Sequence, residues 1–138
     1  MNFKRLQIGM SQDDVRGLMG EPSQITPARD GVAIWWYVRG PQGFVTYRIA
    51  FDRSSRMAAA AQVLTEANFR RLEPGRSTRA DVLDLLGPPR GNARYPNLGE
   101  TVLTWRYQDG TFNKFLHVHF DASEVVTRYD MQFEDTSG

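Results

Sequence analysis

Three side chains with metal-ligating chemistry stand at alternate positions in the stretch FLHVHFD: His117, His119 and Asp121. On a β-strand, residues i, i+2 and i+4 project from one face, so these could offer two imidazoles and a carboxylate to one ion. Same-face neighbours are ~7 Å apart, however, and two histidines share a metal at that spacing only in favourable rotamers. The bland alternative is the outward polar face of a sheet, as the matching earlier residues Arg48, Ala50 and Asp52 suggest. A second carboxylate pair, Asp13 and Asp14, falls at a helix start, where acidic groups complement the helix dipole. Nucleophile-elbow, phosphate-loop and HExxH patterns are missing from the sequence. The expectation is therefore no enzyme, no metal and no cofactor.

Composition narrows the classes further. A chain of 138 residues has the length of one ordinary domain or two very small ones. Hydrophobic residues at 41% and aromatics at 12% suffice for a packed core. With 17 basic against 16 acidic residues, the net charge of +1 gives no electrostatic footprint for nucleic acid. Cysteine is absent, which excludes disulfides, thiolate nucleophiles and Cys-based zinc sites. No apolar run reaches the ~20 residues of a membrane span. The opening MNFKRLQIGM has no apolar h-region, so the chain as it stands is expected to carry no signal peptide.

The elements that position these residues occur twice. GMSQDDVRGLMGEP returns as GRSTRADVLDLLGPP. Val15, Leu18 and Met19 match Val82, Leu85 and Leu86 as one apolar stripe on a short helix. Ser11 with Asp14, and Thr78 with Asp81, are spaced as a capping box, while Gly20 and Gly87 stand where a helix ends. A shorter helical piece precedes each, NFKRLQIG and TEANFRRLEPG. Three strand-like runs follow: VAIWWYV matches TVLTWRY, FVTYRIAFD matches FLHVHFD, and RMAAAAQVL matches VVTRYDMQF. Gly40 to Gly43, and Asp109-Gly110, supply turns between consecutive strands, which predicts antiparallel pairing. The expected fold is α+β: a tandem repeat of helix-helix-strand-strand-strand units, residues 1–64 and 65–135, with helices on one face of each antiparallel sheet.

Comparing the copies face by face yields a candidate surface. Outward positions of the second copy are polar: Thr104, Arg106, Arg128, Asp130 and Gln132. The same parity in the first copy gives Ile34, Trp36, Val38, Met57, Ala59, Ala61 and Val63. A sheet apolar on both faces marks an interface. That interface either packs internally or against a second copy as a homodimer, or it receives an external partner.

RLQIGMSQDDVRGLMGEP followed by WWYVRGPQGFVTYRIAFD resembles the SmpA/OmlA (BamE-like) outer-membrane lipoprotein family. Its pattern is a G-M-S/T-x-x-x-V-x-x-x-x-G-x-P helix, a Trp-aromatic-Tyr strand and a strand ending in Phe-Asp or Phe-Asn. Residues 5–52 fit it, and residues 69–121 fit more loosely, with Arg76 for the usual Met and Arg106 between Trp105 and Tyr107. The tandem layout is also similar to that of the secreted beta-lactamase inhibitor proteins. The first resemblance implies a non-enzymatic accessory protein for outer-membrane assembly or integrity, contacting an envelope protein partner and anionic lipid head groups. It places Trp36 and Arg39 on the binding surface. It also implies an outer-membrane-anchored or periplasmic location, with the signal peptide and lipid-bearing cysteine belonging to a longer precursor. The second resemblance implies a secreted or periplasmic enzyme inhibitor.

Overall fold

The structure is a computed structural model that describes residues 2–27, 32–40 and 43–134. The described residues divide into two compact units. Those within Met1–Val38 and Thr46–Gln62 form the first, and those within Arg39–Val45 and Val63–Gly138 the second.

In the first unit a 3-10 turn, Phe3–Arg5, precedes helix α1, Gln12–Met19. Strands β1 (Gln24–Pro27), β2 (Ala33–Arg39), β3 (Val45–Phe51) and β4 (Met57–Gln62) follow and lie in the order β1-β2-β3-β4. Helix α1 starts where its first free amides find acceptors: Ser11 Oγ takes the Asp14 N–H, and the Asp14 carboxylate takes the Ser11 N–H. It stops at Gly20, whose φ of 82° and ψ of −166° suit a residue without Cβ. Tyr37 then donates its hydroxyl to the Gly20 carbonyl at 2.8 Å, tying the helix end to β2. Val15 and Met19 pack on Trp35, Tyr37, Ile49, Phe51 and Met57 to make the core.

The second unit holds α2 (Glu66–Phe69), α3 (Arg79–Leu86), β5 (Gly91–Tyr95), a 3-10 turn at Pro96–Leu98, β6 (Glu100–Asp109), β7 (Phe112–Phe120) and β8 (Val126–Phe133). Its sheet runs β5-β6-β7-β8, every pair antiparallel. Thr78 and Asp81 form the same capping box, and α3 ends at Gly87 with a φ of 77°. Here it is the Trp105 indole N–H that donates to the Gly87 carbonyl, at 3.2 Å.

The architecture is α+β with two four-stranded antiparallel sheets, not the three-stranded sheets expected. The added strands, β1 and β5, are short edge strands, mostly exposed and without apolar alternation. The first of the two helices expected in each unit shrinks to a 3-10 turn and to the single turn of α2. The turn expected over Gly40 to Gly43 includes residues 41 and 42, which lie outside the described residues.

Asp121 is not part of a ligand set. It closes the β7–β8 hairpin, where its Oδ1 accepts the Ser123 and Val125 amides at 2.8 and 3.1 Å. Asp52 does the same in the β3–β4 hairpin, taking the Ser54 and Arg56 amides at 2.8 and 3.0 Å. Each turn holds a non-glycine residue in the left-handed region, Ser55 at φ 59° and Glu124 at φ 61°. The paired acceptor bonds offset that strain.

One charged cluster anchors α2. Glu66 Oε2 accepts from the Tyr107 hydroxyl at 2.5 Å and from Lys114 Nζ at 2.6 Å. The Lys114 hydrogen bond, reinforced by Tyr107, holds the Glu66 carboxyl below its ordinary value of 4.5. The Glu66 bond likewise raises the Lys114 ammonium above 10.5. Burial pushes the Tyr107 phenol up as well, with Glu66 adding to the rise.

Two outcomes follow for stability. Asp121→Ala should cost about 1–3 kcal/mol, whereas Asp121→Asn, which keeps an acceptor oxygen, should cost less than half of that. Equal urea midpoints for both variants and the wild type would contradict the hairpin role. For the Glu66–Lys114 pair, the depressed carboxyl stabilises the fold above pH 4.5 and loses that effect as pH falls through its lower folded value. The raised ammonium stabilises below pH 10.5 and loses that effect as pH rises through its higher folded value. Lys114→Met should therefore flatten the urea-midpoint profile at both extremes, and a profile parallel to wild type would refute the pairing.

Candidate functional site

Strand parity decides what the second sheet offers to its surroundings. Leu103, Trp105 and Tyr107 on β6, and Leu116, Val118 and Phe120 on β7, are buried. Alternation turns the residues between them to the opposite face. The register aligns them in rows: Val102 with His119 and Arg128, Thr104 with His117 and Asp130, and Arg106 with Phe115 and Gln132. On the edge strand, Tyr95 stands opposite Glu100.

Along this face the polar groups engage one another. Arg106 Nη2 meets Glu134 Oε1 at 2.5 Å, and its guanidinium lies 5.0 Å from the Phe44 ring and 5.4 Å from that of Phe115. His117 Nδ1 is 2.9 Å from Thr104 Oγ1. His119 Nδ1 bonds to Glu100 Oε1, and Arg128 Nη2 approaches the same oxygen at 3.6 Å. The His119 hydrogen bond is the main cause holding the Glu100 carboxyl below its ordinary value. Beside these groups opens a cleft of about 470 Å³, with Tyr95 and Leu98 at its side and Asp130 and Gln132 among its lining.

His117 and His119 do share a face, but one is occupied with Thr104 and the other with Glu100. Among the described residues, no three His, Cys, Asp or Glu side chains are placed to hold a metal.

The apolar surface expected on the first unit does not exist as one exposed face. Met57 points to the core beside Phe51, because the β3–β4 register shifts between Ala50 and Phe51. That bulge reverses the parity extrapolated along β4. Ile34, Trp36 and Val63 are buried, and Val63 belongs to the second unit. Val38 and Arg39 are half-buried; Ala59 and Ala61 alone are exposed. Trp36 is 1% exposed; its indole N–H donates to Thr26 Oγ1 at 3.0 Å, and the Arg48 guanidinium lies 5.6 Å from its ring. Sequence reasoning missed Tyr95, which ends β5, Leu98, in the 3-10 turn, and Glu100, which opens β6. The exposed Tyr and Leu flanking Pro96 were the available signal.

Because Trp36 is buried, Trp36→Arg removes a packed indole and places a charge in its room. A loss of about 3–5 kcal/mol is expected, read as a lower thermal midpoint with size-exclusion chromatography as the check on assembly. A melt identical to wild type would show that the site tolerates the charge.

No protein-family model matches the chain, so the SmpA/OmlA resemblance carries no family assignment. No curated protein matches it either. Among solved structures, the chain is similar to a DUF4309 family protein (YjgB) from Bacillus subtilis at 17% identity, covering 90% of this chain and 78% of that one, with a TM-score of 0.36. It is also similar to a candidate beta-lactamase inhibitor protein from Streptococcus mutans at 10% identity, covering 95% and 93% of the two chains, with a TM-score of 0.42. At these scores neither neighbour assigns an activity to this chain.

Proposed function

We propose that this chain is a non-enzymatic binding protein built from two copies of one helix-and-sheet unit, acting in the cell envelope or outside the cell. It works by seating another protein on the outward face of the second sheet, in the manner of a proteinaceous enzyme inhibitor. The observation that carries this is the face itself. Arg106, His117, His119 and Glu100 are already held by bonds within the face, and an open cleft lies beside exposed aromatic and aliphatic side chains. Side chains held in place before contact lose little entropy on binding. Aromatic and arginine residues are also the types enriched where proteins recognise one another. The accessory-lipoprotein reading placed Trp36 on its binding surface, and Trp36 is buried.

The test uses immobilised protein and a Tyr95→Ala, Leu98→Ala double variant. Tyr95 is 47% and Leu98 73% exposed, so the fold should survive their truncation. The wild type should retain a specific protein from envelope extract, and the double variant should bind it at least about 30-fold more weakly, as expected for a hot spot. An enzyme so retained should lose activity when the wild type is added at equal concentration. Equal retention by both baits would refute this face as the binding surface.

A further inference from the structure

Among the described residues at the Glu100 end of the cleft, one carboxylate is hydrogen-bonded and the other is not. His119 turns its two ring nitrogens to two different carboxylates: Nδ1 bonds to Glu100, and Nε2 stands 3.9 Å from Asp130 Oδ2. Arg128 Nη2 also stands 3.2 Å from His119 Nδ1, while the separation of Nε2 from Asp130 is too wide for a hydrogen bond. Asp130 Oδ1 is buried without a hydrogen-bond partner among the described residues. Glu100, by contrast, is matched by both His119 and Arg128. Glu100 therefore has two partners, whereas Asp130 has only the long approach of His119 Nε2.

We propose that this cleft receives a basic side chain of the protein partner, a lysine or an arginine, which rests on the reading of the face as a partner surface. A guanidinium or an ammonium can donate to Asp130 Oδ2. The aliphatic stem finds apolar cover in Tyr95 and Leu98, which line the same cleft. Although Asp130 Oδ1 is buried, the side chain as a whole retains 43% exposure, which leaves Oδ2 for an incoming group.

The experiment is a titration of the isotope-labelled protein with butylguanidinium, followed through backbone amide signals at constant ionic strength, with butyrate as the anionic counterpart. Butylguanidinium should shift the amides of Val102, His119 and Asp130 saturably, in the millimolar range. Asp130→Asn should weaken that binding at least about tenfold while its spectrum stays dispersed, and butyrate should leave the same amides unmoved. Shifts by butyrate at these residues, linear shifts without saturation, or undiminished binding by Asp130→Asn would each overturn the proposal. The two readings fail separately. Partner capture through Tyr95 and Leu98 beside a silent titration removes the cation subsite alone, and a saturable titration without capture removes the partner surface alone.

Discussion

A single contact type fixes each of the two longer helices, α1 and α3, on its sheet: an aromatic hydrogen-bond donor on a strand reaching the carbonyl where the helix ends. Tyr37 does this for Gly20 and Trp105 for Gly87. Terminal helix carbonyls have no partner within the helix, so a buried one must be answered from outside. Glycine at that position allows a backbone turn closed to other residues, and the donor keeps the helix at one height over the sheet. The core residues can then meet only in one register. The outward face inherits that register, since strand alternation ties the two faces together.

Much of this was legible because it is local. The caps at Ser11 and Thr78, the glycines ending both helices and the alternation along β7 all act within a few residues, and each formed as the spacing predicts. Two things escaped. Edge strands such as β1 and β5 bury little, so no apolar rhythm announces them. A single bulge between Ala50 and Phe51 was enough to send Met57 to the core, since a shift of one residue exchanges the faces of a strand.

The candidate site was half legible for the same reason. His117, His119, Arg128, Asp130 and Gln132 could be placed outward by parity. Their partners could not, because Glu100 meets His119 across the β6–β7 pairing and through a strand start with no regular pattern before it. The polar pairs that keep the histidines engaged are long-range facts, and residue type alone suggested metal ligation as readily as a surface network.

The second sheet follows chain order, β5-β6-β7-β8, with Gly110-Thr111 as the whole link between its two longest strands. Closing a short loop loses little chain entropy, and pairings between sequence neighbours belong to the rapid end of folding. The contacts that bring the helices down are of another kind. Thr78 bridges to Val125, and Glu66 reaches Lys114 across a separation of 48 residues. The meander closes through neighbouring segments, while helix docking joins residues nearly fifty positions apart. The sheet that presents the outward face is therefore the part of lower contact order.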